Sequence, residues 1–224
     1  MRALSPTVRS LLLDLEGGAL ALRAGQWINL YVPTDGGREK RAYSVASGPD
    51  DRPIELAVTH VAEGCVSPRL HAIELNDELG WDGPHGFFTR DADAAEAPAL
   101  FVGTGTGLSP LRSMLTELCA QPEHPPLTLL FGVRTQADIL WREELEHWAE
   151  RDPRFKLEIT LSQPDPGWRG RIGYVQTHVA ELARELGEPH VFICGLSRMV
   201  GEVRAQCKSE LGYDRKRIHS ERYD

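Results

Sequence analysis

At 224 residues, 41% hydrophobic and 26% charged, the chain has ample material for one large or two small cores. The net charge of −8 argues against nucleic acid as a general partner, and no apolar run approaches a membrane span. Four scattered cysteines, Cys65, Cys119, Cys194 and Cys207, form no CxxC pair and no iron–sulfur spacing; this favours a reducing, cytoplasmic setting and no metal centre.

The first half reads as short strands between turns. Residues 8–15 form an apolar strand stopped by Gly17 and Gly18, and residues 27–32 form a second strand closed by Pro33. Asp35, Gly36 and Gly37 make a hairpin turn into a strand over residues 41–47. At period two, Arg41, Tyr43 and Val45 share one face of that strand, and Ala42, Ser44 and Ala46 share the other. A forked cation beside an aromatic ring suits a ligand carrying both a phosphate and a flat ring system, or is an exposed Arg and a half-buried Tyr on an ordinary strand. Residues 54–61 alternate again, with Ile54, Leu56, Val58 and His60 on one side. Ser67 and Pro68 predict a helix start with Ser67 as its N-cap, either an ordinary capped helix or a terminus whose N–H groups near Gly64, Cys65, Val66 and Ser67 attract phosphate. Residues 83–88 lead through a Gly/Pro loop into one more strand.

Residues 91–98 are small, polar and closed by Pro98, as expected of a linker. Beyond it the period alternates between two and 3.6. Strands are predicted over residues 99–102, 127–131, 155–161, 190–194 and 218–223. Helices are predicted from Ser109 with Leu111, Met114, Leu115 and Leu118 on one face, and over 138–149, 175–186 and 197–211. Such alternation implies a parallel sheet with helices on both faces, and ligands bind at the carboxyl ends of its strands.

Gly103, Thr104, Gly105, Thr106 and Gly107 join the first of these strands to its helix. A glycine-rich turn there lets backbone approach a pyrophosphate, though GxGxG before Ser-Pro is neither the full dinucleotide fingerprint nor a P-loop, and a plain tight turn would read the same. Cys194, followed by Gly195, ends the fourth strand at that same edge, as a site residue or as a buried structural thiol. The histidines show no HxH or HExxH spacing. The basic tail around Arg215, Lys216, Arg217 and Arg222 reads as solvated surface or as a docking patch.

Taken in order, Ala24 through Trp27, Arg41 through Ser44 with Ser47, Gly64 through Ser67, Gly83 through Gly86, Gly103 through Pro110, Ile193 through Leu196 and Glu221 through Tyr223 resemble the ferredoxin–NADP reductase family, most closely its bacterial branch. The resemblance covers nearly the whole chain. It implies a six-stranded antiparallel FAD-binding barrel over residues 1–94 and a five-stranded parallel NAD(P)-binding α/β domain over residues 95–224. It implies that Arg41 clamps the FAD pyrophosphate, with Ala42 beside it on the same binding strand. Tyr43 then packs on the isoalloxazine and Ser44 bonds near its N5. Gly64, Cys65, Val66 and Ser67 meet the pyrophosphate. Gly103, Thr104, Gly105, Thr106 and Gly107 hold the nicotinamide dinucleotide, with Cys194 and Gly195 beside the nicotinamide, Glu221 near the reacting ring and Tyr223 as a displaceable cover over the flavin.

The chain departs from the pattern in two places. Asp224 follows Tyr223, and Ser162 and Gln163 stand where NADP-binding relatives carry Ser-Arg. Arg134, Arg169 and Arg171 are then the candidates for a 2′-phosphate, which leans the coenzyme to NADPH, with NADH open. The expected partner is an acidic one-electron carrier, a ferredoxin or flavodoxin, or an oxygenase component. A free-flavin reductase and a non-catalytic flavin-binding redox sensor are the other readings.

Overall fold

The computed structural model describes residues 2–15 and 21–223. The expected strand stop at Gly17 and Gly18, and Asp224, lie outside them. In chain order the elements are β1 (Arg2–Ala3), β2 (Val8–Leu13), β3 (Trp27–Thr34), β4 (Gly37–Ser44), β5 (Ile54–Thr59), α1 (Ser67–His71), β6 (Gly80–His85) and α2 (Ala92–Ala95). There follow β7 (Ala99–Thr104), α3 (Leu108–Cys119), β8 (Leu127–Val133), α4 (Arg142–Arg151), β9 (Phe155–Leu161), β10 (Arg171–Ile172), α5 (Val179–Leu186), β11 (His190–Leu196), α6 (Ser197–Ser209) and β12 (Ile218–Tyr223).

The N-terminal strands do not close into the expected barrel. They form two three-stranded antiparallel sheets, β1-β2-β5 and β4-β3-β6, and an isolated bridge between Val45 and Leu56 links them. The edges explain this. β1 has only two residues, and β6 contains Pro84, which offers no N–H to a further ladder, beside a register shift between Trp27 and Asn29. The two sheets close over Ile28, Leu30, Val45, Ile54, Leu56 and Leu70, all 1% exposed or less.

The second half is an all-parallel sheet of order β10-β9-β8-β7-β11-β12. It has six strands rather than five, because Arg171 and Ile172 pair with Thr160 and Leu161 as a two-residue edge. Alternation along β7 sends Leu100 and Val102 to one face and Ala99 and Phe101 to the other. Leu100 and Val102 pack with Val179 and Leu182 of α5 and Val200 and Val203 of α6. Phe101 packs with Leu108, Leu111 and Leu115 of α3 and Leu145 of α4.

Several local expectations shift. The 138–149 helix begins at Arg142, because Asp138 and Thr135 form a capping box on a short 3₁₀ turn and Ile139 is extended. The 175–186 helix divides into a 3₁₀ turn over Val175–Thr177 and then α5. The expected linker holds α2, whose Ala94 N–H donates to Asp91 Oδ1 at 3.1 Å. Ser67 is not an N-cap: it is the first residue of α1, and its hydroxyl accepts the Val61 N–H at 2.9 Å. No helix among the described residues is long and apolar enough to cross a membrane.

The halves share one core. Val8, Ala46, Ala57 and Phe88 from the first join Phe101, Leu108, Leu111, Met114 and Phe192 from the second. That shared packing brings the carboxyl ends of β7 and β11 up to the end of β4.

Candidate active site

Parallel register aligns three residues side by side. Gly103 of β7 pairs with Cys194 of β11, and Cys194 pairs with Glu221 of β12. Ser44, at the end of β4, completes the set: its hydroxyl donates to Glu221 Oε1 at 3.1 Å across a sequence separation of 177 residues. Ser44 and Cys194 are buried, and Glu221 is half-buried.

The electrostatics follow from this burial. Burial pushes the Glu221 carboxyl above its ordinary 4.5, and the Ser44 bond opposes the shift. Burial, with Glu221 nearby, raises the Cys194 thiol well above its usual range, so it stays protonated and is no nucleophile. Tyr223 packs against the shared core, and burial raises its phenol as well. Its buried Oη lies close to the Ser44 hydroxyl and the Cys194 thiol.

The raised Glu221 carboxyl makes a prediction. The folded state holds that proton more tightly than the unfolded chain, so this group stabilises below its unfolded value. The benefit is lost as pH rises from 4.5 through the raised value. Glu221→Gln removes this dependence. The melting-temperature difference, variant minus wild type, is expected to grow between about pH 4 and about pH 7. A difference that stays flat would mean that Glu221 titrates as an ordinary exposed carboxyl.

Beside this junction the 103–107 turn packs tightly. A Cβ on Gly107 would lie 2.4 Å from the Cys194 carbonyl oxygen, and one on Gly195, at φ +147, would lie 2.2 Å from Thr104 Oγ1. Only glycine permits these approaches. Thr104 Oγ1 is buried and unpartnered among the described residues, and Gly107 stands at the N-cap position of α3 and gives no side-chain cap. A close-packed glycine turn with an orphaned hydroxyl, leading straight into a helix, fits a pyrophosphate-bearing coenzyme. Ser109 and Pro110 lie in the first turn of α3, which starts at Leu108, one residue before the expected Ser109.

On β4, Arg41 is exposed and donates to Glu39 at 3.0 Å and to the Lys40 carbonyl at 2.8 Å. Its Nη2 lies 3.6 Å from Cys65 Sγ, so β4 and the 64–67 turn meet. Ala42 is exposed, Tyr43 half-buried, and burial raises the Tyr43 phenol. A forked cation, a half-buried ring and a backbone turn on one side of the sheet fit a dinucleotide carrying a flat ring.

The arginines separate. Arg134 is exposed directly beyond β8, and its guanidinium has no partner among the described residues; Arg169 is likewise exposed. Arg171 is held by Glu158 at 2.8 Å and by both oxygens of Glu181 at 2.8 and 3.0 Å. It is spent on an ion-pair network that ties β9, β10 and α5 together.

Sequence reasoning missed Arg112, Glu55 and Trp141, which form a buried polar knot between the halves. A signal was present: Arg112 falls at apolar helix spacing between Leu108 and Leu115. It also gave no hint of Cys119, His124 and Asp152, whose donor atoms lie within 4.8 Å of one another at the far edge of the sheet. There His124 Nε2 lies 2.5 Å from Asp152 Oδ2, and Arg151 and Arg154 line the same pocket, so the group satisfies itself.

The oxidoreductase FAD-binding domain model matches residues 2–89, and the oxidoreductase NAD-binding domain model matches residues 101–205. Ferredoxin–NADP reductase B of Sorangium cellulosum (strain So ce56) is 51% identical over the full chain and 95% of its own length. The reductase component DmpP of phenol 2-monooxygenase from Pseudomonas sp. (strain CF600) is 32% identical, but the chain covers only 56% of it. Among solved structures, Amycolatopsis cytochrome P450 reductase GcoB is 30% identical with a TM-score of 0.85, over 98% of this chain and 66% of that one. The chain belongs to the ferredoxin–NADP reductase family, oxidoreductases built from an FAD-binding and an NAD-binding domain.

Proposed function

We propose that the chain takes a hydride from NADPH onto bound FAD and passes the electrons singly to a ferredoxin, a flavodoxin or an oxygenase component. Residues 1–94 hold the flavin and residues 95–224 the coenzyme. The observation that carries this reading is the Ser44–Glu221 bond, which joins the end of the flavin strand to the carboxyl edge of the coenzyme sheet beside Cys194. Bound FAD supplies the redox chemistry: it takes two electrons with one hydrogen from the coenzyme and releases the electrons one at a time, with a proton to solvent.

The protein's share is placement and exclusion of water. Arg41 and the backbone of Gly64, Cys65, Val66 and Ser67 hold the flavin pyrophosphate, while Ala42, exposed beside them, leaves room on the strand. Tyr43 lies on the ring and Ser44 bonds its reacting edge. Gly103, Thr104, Gly105, Thr106, Gly107 and Gly195 hold the coenzyme. Cys194 offers an uncharged, polarisable wall to the nicotinamide, Glu221 holds Ser44, and Tyr223 closes the flavin's coenzyme side until coenzyme enters. Four free cysteines suit a reducing cytoplasm.

NADPH is favoured because the Arg134 guanidinium, at the carboxyl edge, has no partner among the described residues, whereas Arg171 is neutralised by two carboxylates. Arg134→Ala is expected to weaken use of NADPH by about 10-fold or more, the worth of a charge-assisted phosphate contact, and to leave NADH nearly unchanged. Equal losses with both coenzymes would remove Arg134 from the 2′-phosphate. The functional reading is tested by desalting followed by anaerobic mixing. FAD is expected to stay bound and to bleach with NADPH. Loss of flavin on the column favours the free-flavin reductase, and retained flavin that neither coenzyme bleaches favours the redox sensor.

A further inference from the structure

Helix α3 carries the coenzyme turn at its start and, at its fifth residue, the buried cation Arg112, which is 7% exposed. Its guanidinium reaches out of the coenzyme half. Nη1 donates to the Ala46 carbonyl at 2.7 Å and lies 3.1 Å from Glu55 Oε2. Nε and Nη2 fork onto Glu144 of α4 at 2.6 and 2.9 Å, and the guanidinium carbon sits 4.7 Å over the Trp141 ring. Glu55, also 7% exposed, accepts from Trp141 Nε1 at 3.0 Å and from Ser10 Oγ at 2.6 Å. All three nitrogens of the fork therefore have an acceptor, and two of its partners, Ala46 and Glu55, belong to the flavin half.

The partners matter because of where they lie. Ala46 is two residues beyond Ser44, and its own N–H donates to the Glu55 carbonyl at 2.7 Å. Arg112 thus grips the backbone immediately behind the flavin-facing hydroxyl, from a helix whose first turn follows the coenzyme loop. A shared apolar core between the halves is non-directional and tolerates sliding. A planar fork with fixed donors does not.

We infer that Arg112 is a positioning residue: with Glu55, Trp141 and Glu144 it sets the distance between the coenzyme turn and the flavin strand, and so the registry of hydride transfer. The inference rests on the reductase reading for its consequence, while the grip itself can be tested without coenzyme.

Arg112→Lys keeps the charge and loses the fork. In the protein as purified, with no coenzyme added, amide exchange at Ala46 and Ser47 is expected to quicken about 10-fold or more as the local clamp loosens. With NADPH, flavin reduction in single turnover is expected to slow about 10–100-fold and the coenzyme–flavin charge-transfer band to weaken, while FAD retention and the affinity for adenosine 2′,5′-bisphosphate stay within about twofold. A merely structural role would not divide reduction and charge transfer from binding in this way. Wild-type exchange at Ala46 and Ser47 together with a wild-type band in the folded variant overturns the inference. Should Arg112→Lys fail to fold, Glu144→Gln is read by the same two signals; it loosens the outer fork and leaves the Arg112–Glu55 pair in place, and unchanged signals there overturn it equally. If wild-type flavin is not reduced by either coenzyme, the reductase reading fails, while the exchange result still decides the grip.

Discussion

Ser44→Ala is expected to slow flavin reduction by the coenzyme about 10²-fold while FAD remains bound. The hydroxyl is buried where a β4 side chain bonds to the coenzyme sheet, and its partner Glu221 is half-buried with a raised carboxyl. Alanine removes the donor and leaves Glu221 without it. The same Ser44 bond opposes the upward shift of that carboxyl, so its loss raises the value further. An unsatisfied group of this kind costs about 1–3 kcal/mol, so a lower melting temperature is expected alongside the kinetic loss. Stopped-flow reduction under anaerobic conditions reads the first effect and thermal unfolding the second. A normal rate in a destabilised variant would make Ser44 a structural hydroxyl only.

Arg41→Ala has its largest effect on flavin retention. A forked, charge-assisted bond to a phosphate is worth about 1.5–3 kcal/mol, so the dissociation constant for FAD is expected to rise about 10–150-fold. Stability without flavin should barely move, because the Arg41–Glu39 pair is solvent-exposed and such pairs contribute about 0–1 kcal/mol. Equilibrium titration of stripped protein with FAD measures the first quantity. Wild-type affinity would detach Arg41 from the pyrophosphate and leave its approach to Cys65 as a surface contact.

Much of this architecture was legible because it rests on local pattern. Strand–helix alternation gave the parallel sheet, and the placing of Gly103 and Cys194 at strand ends put them at its carboxyl edge, where the register makes them direct partners. Ser44 and Glu221 could be joined only through a family likeness, since no periodicity connects residues 177 apart. What was not legible depends on tertiary partners. Barrel closure depends on whether edges meet, and Pro84 with the two-residue β1 prevents it. The fate of Arg171 depends on Glu158 and Glu181, which come from a neighbouring strand and a helix. The start of α4 depends on Asp138 folding back onto Thr135 rather than continuing a helix. The inward packing of Tyr223 depends on a core that both halves build. Arg112 sits at apolar spacing on α3, but its role as a buried link depends on Glu55 and Ala46, which no local pattern names.

The most direct test mixes the FAD-loaded protein anaerobically with NADPH and then with an oxidised ferredoxin. A reductase built on the Ser44–Glu221 junction bleaches its flavin in the first mix, and colour returns in the second as two equivalents of ferredoxin are reduced for each coenzyme consumed. Flavin that stays oxidised with both NADPH and NADH would contradict it.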